Sequence, residues 1–201
     1  AASDVYKRQL FAPAYNPAVA HVQPVRKALG IPTIFNTLGP LLSPGRPSLQ
    51  IMGIANPAQG QLIAEAFRKL GRERALVVHG AGTDEIATHG TTQAWELNDG
   101  EIVTYELTPE DLGIERHELK DLTGGDGAAN ARALRAVFAG RGEPAHCDAI
   151  AATAGAMFYL NGTTETIAAG VTHAKELISS GTVEDWLALH ENTNYAVREE
   201  S

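Results

Sequence analysis

The hydrophobic positions of this chain change their spacing several times, and each change predicts an element. Val22, Val25 and Leu29 recur at helical intervals. Pro24 suits the first turn of that helix and Gly30 its end. Residues 10–20, rich in proline and small side chains, read as the loop leading into it. A dense set of breakers follows, Pro32, Gly39, Pro40, Pro44, Gly45 and Pro47, threaded by Ile31, Ile34, Phe35, Leu38, Leu41 and Leu42. Proline and glycine at that density among large apolar residues predict a buried, irregular segment with a fixed path. Leu49, Ile51, Met52 and Ile54 predict a strand over 48–55. Asn56 and Pro57 then supply an N-cap and a first-position proline. Leu62, Ile63, Ala66, Phe67 and Leu70 follow with helical spacing, closed by Gly71. Residues 74–80, RALVVHG, are almost wholly apolar, as in a strand covered on both faces. The three pieces predict a strand–helix–strand crossover.

Alternation over 91–97 and 101–107 predicts two strands joined at Asn98-Asp99-Gly100, a good hairpin turn. Thr108, Pro109 and Glu110 begin a short helical turn. The rest reads as helix. Ala131, Leu134 and Phe138 mark one over 128–139, ending at Gly140. Residues 148–160 are apolar nearly all round and therefore buried, and Ile167, Val171 and Ile178 mark a helix over 164–179. A last helix spans 183–190 behind an N-cap at Thr182, and residues 192–201 read as frayed. No internal repeat or low-complexity tract interrupts this order.

Composition narrows the partners. Of the 201 residues, 44% are hydrophobic and 20% charged, an ordinary globular balance. A formal net charge of −8 with no Lys/Arg cluster excludes nucleic acid as the main ligand. No apolar run reaches the roughly 20 residues that span a bilayer, and no signal peptide is visible. The single cysteine, Cys147, cannot form an internal disulfide, which agrees with a cytoplasmic location, and it reads as a small buried side chain.

Polar ligands of open α/β sheets collect beyond the carboxyl ends of parallel strands. Here that place is 79–89, HGAGTDEIATH. Asp84 and Glu85 form an adjacent carboxylate pair on a glycine-bearing loop, which suits Mg²⁺ completed by water and phosphate, or equally a solvated loop. Arg26 lies beside an apolar stripe, where a guanidinium fork could grip a planar carboxylate or simply face solvent, whereas Lys27 reads as exposed. His79 and His89 have no cysteine partner nearby and read as structural. Gly124-Gly125-Asp126 looks like a phosphate cradle, but Asp126 fits better as the N-cap of the next helix.

Residues 21–47, HVQPVRKALGIPTIFNTLGPLLSPGRP, resemble the core signature of the anthranilate phosphoribosyltransferase family, PVR..LG..T.FN.LGPL.NP.RP. The likeness extends from Leu10 to Glu191. It implies an α/β fold, a mixed and largely parallel sheet flanked by helices, of the nucleoside phosphorylase/phosphoribosyltransferase kind. It also implies transfer of phosphoribosyl from 5-phosphoribosyl 1-diphosphate to anthranilate, with pyrophosphate released and Mg²⁺ as cofactor. The family's G.DE loop falls on Asp84 and Glu85 as magnesium ligands, and its anthranilate-binding arginine falls on Arg26. Ala12, Pro13 and Asn16 match the neighbouring loop that lines the acceptor channel. No residue stands out as a covalent nucleophile or general base. The family's GTGGD, N.ST and K.GN segments have no match in these residues. Residues 1–9, AASDVYKRQ, match nothing in the family and there is no initiator Met. The expectation is therefore a C-terminal part of the enzyme over 10–201, preceded by a stretch that reads as foreign, and inactive alone. A helical domain upstream would make the homodimer. The alternatives are a pyrimidine nucleoside phosphorylase-like enzyme and a non-catalytic relative of the same fold.

Overall fold

The computed structural model describes residues 17–30, 35–43 and 45–191. Helices α1 (Pro17–Leu29) and α2 (Phe35–Leu41) come first. Strand β1 (Leu49–Gly53), α3 (Gly60–Lys69) and β2 (Arg74–Gly80) form the strand–helix–strand unit, and a hairpin of β3 (Thr92–Asn98) and β4 (Glu101–Leu107) follows. Helices α4 (Gly127–Phe138), α5 (Pro144–Leu160), α6 (Ile167–Ser179) and α7 (Thr182–Glu191) complete the chain.

The sheet order is β1-β2-β3-β4, with β1–β2 parallel and the other two pairings antiparallel. The sheet is thus mixed, as expected, and among the described residues its parallel part is the β1–β2 unit. The hairpin turns on Asp99 and Gly100, at φ 49° and 80°, between the paired residues Asn98 and Glu101. Both central residues in the left-handed region is the geometry whose twist matches the flanking strands.

β2 explains why an unbroken apolar run was needed. Its residues alternate between two cores on opposite faces. Leu76 and Val78 pack with Ala151, Ala156 and Val171 of the α5–α6 layer. Ala75 and Val77 pack with Ile63 and Phe67 of α3 and with Trp95. Close backbone approach fixes the helical layer. A Cβ on Gly155 of α5 would lie 2.4 Å from Val171 N, and one on Gly170 of α6 would lie 2.2 Å from Gly155 O.

The amino-terminal segment departs from its sequence reading. Helix α1 starts at Pro17, so Pro17 takes the first-position role and Pro24 sits inside the helix. An interior proline forfeits one main-chain bond, at about 3 kcal/mol, and the helix runs on to Leu29 around it. In the breaker-rich stretch Ile31, Pro32, Ile34 and Pro44 lie outside the described residues, Leu38 and Leu41 are half-buried, and the described part is not irregular throughout. Residues 35–41 form a short helix with Pro40 in its last turn. Val25 is 58% exposed, Leu29 55% and Leu42 49%, so these apolar side chains are not buried within the described chain. Two contacts tie α2 down: Leu41 packs against the core on the α3 face of the sheet, and Gln50 Nε2 donates to Pro40 O at 2.9 Å.

Candidate functional site

The loop after β2 lies across the carboxyl ends of the two parallel strands. Gly80 and Thr83 exchange main-chain bonds (Gly80 N to Thr83 O, 3.0 Å; Thr83 N to Gly80 O, 2.9 Å). Between them Ala81 and Gly82 have φ of 46° and 90°, a turn that glycine adopts freely and alanine only under constraint. The Thr83 hydroxyl donates to Gly80 O at 2.8 Å.

Asp84 and Glu85 come next, both exposed, and Ile86, Ala87 and Thr88 then turn inward and are buried. Two strand-end glycines permit this path. A Cβ on Gly53 would fall 1.6 Å from Asp84 O, and one on Gly80 would fall 2.4 Å from Glu85 O. The main chain of the acidic pair therefore rests directly on the ends of β1 and β2. Beyond it, Ala87 N donates to the Thr92 hydroxyl at 2.9 Å, and His117 N to Thr88 O at 2.9 Å.

So the structure presents the two carboxylates to solvent on a main chain fixed from several sides. Among the described residues no side-chain hydrogen bond or ion pair joins either one to a cation. Partial burial of its carboxylate, and then the Asp84 charge, raises the Glu85 pKa from its ordinary value. Two adjacent acids with no cationic partner fit a divalent ion best where other ligands complete the shell. No group of three His, Cys, Asp or Glu side chains able to hold a metal occurs among the described residues. The donor set thus suits Mg²⁺, which takes one or two carboxylates and keeps water and phosphate oxygens, and not an all-protein cage.

The other sequence candidates divide clearly. His79 Nδ1 donates to Ile54 O at 2.8 Å, tying β2 to the residue after β1, and His89 Nε2 lies 3.3 Å from Ala81 O. The His79 contact is structural, as the sequence suggested, while His89 Nδ1 is buried without a partner among the described residues. Asp126 caps α4 by accepting from Ala129 N at 2.7 Å, and Asn130 closes the adjacent Gly125 with two bonds. Lys27 is exposed. Arg26 lies on α1, its side chain outside the described residues, as do Ala12, Pro13 and Asn16 altogether. Cys147 is half-buried, and burial with the neighbouring Asp148 raises its thiol pKa.

Sequence reading missed two polar clusters. At the amino end of β2, buried Glu96 accepts from the hydroxyls of Tyr105 and Tyr159, both at 2.8 Å, and from Arg74 Nη2 at 3.3 Å. The Arg74 guanidinium also donates to Tyr159 O and Leu160 O and stacks 4.6 Å from the Tyr159 ring centre. A cleft of about 340 Å³ opens beside this cluster, away from Asp84 and Glu85. The second cluster, His117, Asp148 and Lys175, joins positions 27 and 31 residues apart (175 − 148 and 148 − 117). One signal was available: Asp148 is an acid on a helix otherwise apolar all round, and a buried charge requires partners.

The sequence profile of the glycosyl transferase family, a/b domain, matches residues 5–184. Over 186 residues the chain is 78% identical to an anthranilate phosphoribosyltransferase of Corynebacterium aurimucosum, covering 92% of this chain and 54% of that protein. The enzyme of the same name from Corynebacterium efficiens is 66% identical over 187 residues, with 92% and 55% covered. The crystal structure of the anthranilate phosphoribosyltransferase from Thermus thermophilus superposes with a TM-score of 0.83 at 39% identity, over 90% of this chain and 54% of that one. The Saccharomyces cerevisiae enzyme in complex with PRPP and Mg superposes at 0.76 and 31% identity, over 85% and 49%. The chain thus spans about half the length of the relatives it matches.

Proposed function

This chain belongs to the glycosyl transferase family, a/b domain, and we propose that the protein containing it transfers phosphoribosyl from 5-phosphoribosyl 1-diphosphate to anthranilate. The observation that carries this reading is the 78% identity, over 186 residues, to a protein named for that activity. In the proposed reaction the anthranilate amine forms a bond to the anomeric carbon of the ribose. The carbon–oxygen bond to diphosphate breaks, through an oxocarbenium-like transition state. Pyrophosphate leaves with the bonding electron pair, and the amine proton passes to water.

The residues of this chain contribute position and charge. Asp84 and Glu85 would hold magnesium, which when bound supplies stabilisation of the charge developing on the leaving diphosphate. The strand-end glycines and the Gly80–Thr83 turn keep that pair in place before substrate arrives, the form of catalysis in which fixed geometry lowers the barrier. Arg26 would bind the anthranilate carboxylate through its two parallel N–H groups, with Ala12, Pro13 and Asn16 along the acceptor channel. The exposed Val25 and Leu29 of α1, and Leu42 after α2, would be covered in the intact protein, which on this reading acts in the cytoplasm as a homodimer. Among the described residues no helix is long and apolar enough to cross a membrane.

The test is formation of N-(5-phosphoribosyl)anthranilate by the intact protein, followed as loss of anthranilate fluorescence. Arg26→Ala should raise the KM for anthranilate at least tenfold, the effect of a lost hydrogen bond to a charged group. The KM for phosphoribosyl diphosphate should stay unchanged. An intact, folded protein without this activity contradicts the reading.

A further inference from the structure

Asp148 on α5 is buried, and both of its oxygens are taken. Oδ2 accepts from His117 Nε2 at 2.8 Å, and Oδ1 pairs with Lys175 Nζ of α6 at 2.7 Å. The same ammonium donates to Gly113 O at 3.4 Å. The segment 113–117 is thereby fastened at both ends to the α5–α6 layer. His117 spends its main-chain N–H on Thr88 O, 2.9 Å away and three residues beyond Glu85. A continuous line of polar contacts thus runs from α6 through Asp148 and His117 to the carboxylate loop.

Asp148 is buried, His117 half-buried and the Lys175 side chain 38% exposed. A polar cluster of this kind contributes little net stability compared with well-packed apolar residues, so stability alone explains it poorly. What full satisfaction of both carboxylate oxygens does supply is a fixed geometry. The turn at Gly80–Thr83 and the Thr92 hydroxyl fix the loop to the sheet; the His117 contact fixes it to the helices. We propose that Asp148, His117 and Lys175 are positioning residues for the loop, setting its affinity for a divalent cation from outside the ligand shell. The proposal rests on the reading of Asp84 and Glu85 as the magnesium site.

The experiment uses the intact protein with two readouts: calorimetric titration with Mg²⁺ in the presence of inorganic diphosphate, and hydrogen exchange at individual amides. His117→Ala should weaken magnesium binding about tenfold and speed exchange at Ala87 about tenfold, the effect of one lost hydrogen bond to a charged group. Exchange at Met52 in β1 should not change. His117→Gln retains a donor towards Asp148 and should recover most of both effects. A uniform rise in exchange across the sheet, or unchanged Ala87 exchange and magnesium affinity in a folded His117→Ala protein, overturns the proposal. Should that variant not fold, Lys175→Met decides: faster Ala87 exchange with unchanged Met52 supports the brace, and an unchanged pattern overturns it. If the unmodified protein takes up no magnesium, the reading of the carboxylates fails, while the Ala87 exchange still decides whether the brace exists.

Discussion

The two ends of strand β2 treat carboxylates in opposite ways. At its amino end, Glu96 is buried and matched by Arg74, Tyr105 and Tyr159. At its carboxyl end, Asp84 and Glu85 are exposed, adjacent and unmatched by any cation of the described chain, though the main chain beneath them is tightly fixed. The first arrangement spends its acid on holding β2, β3, β4 and α5 together. The second keeps rigid main chain beneath uncompensated charge, which costs stability and makes sense for a ligand that brings the missing positive charge. Burial alone would not separate these roles; what separates them is whether the protein completes the acid's partners itself.

The largest effect should come from breaking the completed end. Glu96→Ala leaves the Arg74 guanidinium, 22% exposed at its side chain, without its counter-charge. Removing one member of a buried pair costs about 3–5 kcal/mol, and the partial exposure of Arg74 places this case near the lower figure. Chemical denaturation should register that loss, and magnesium titration of the folded fraction should be unchanged. Gly53→Ala acts at the other end: its Cβ meets Asp84 O, so the loop must lift. We expect about 1–3 kcal/mol lost from overpacking, and, in contrast to Glu96→Ala, a raised magnesium requirement in a titration.

A smaller effect should appear in alkali. Burial, followed by the charge and hydrogen bond of Glu96, pushes the Tyr105 pKa far above the ordinary tyrosine value, and burial and the bond to Glu96 raise that of Tyr159. The folded chain therefore holds both protons more tightly than the unfolded chain. That stability is fully present below the unfolded tyrosine pKa of about 10 and is lost as pH rises above it. Thermal melts between pH 9 and about 11 should show a shallower decline in the Tyr105→Phe, Tyr159→Phe double variant than in the parent.

How far the sequence could be read follows the same division. The β1–α3–β2 unit, the hairpin at Asp99-Gly100 and the helices of the carboxyl half were legible, because period and punctuation agree locally at Leu76, Val77, Val78 and Gly100. The amino-terminal segment was not: interior Pro24 was taken as a start signal, and Leu42, read as buried, is exposed here. Local pattern records what a residue prefers, not which surface covers it. Asp84 and Glu85 stand out in the sequence because they follow a buried strand directly. The partners of Glu96 and Asp148 were not, since Tyr159 lies 63 residues from Glu96 and no spacing rule reaches so far.

The central claim is that Asp84 and Glu85 are left unmatched for magnesium. Replacing them together, Asp84→Asn and Glu85→Gln, keeps their shape and removes both charges. Folding stability should move by no more than about 0.5 kcal/mol, the surface-sized effect and the smallest expected here. It should move upward if anything, because two like charges no longer repel. The deciding measurement is a magnesium titration of the phosphoribosyl transfer rate in the intact double variant, beside its thermal melt. We expect the half-saturating magnesium concentration to rise at least tenfold and the rate at saturation to fall. An unchanged titration in a fully folded variant would contradict the account.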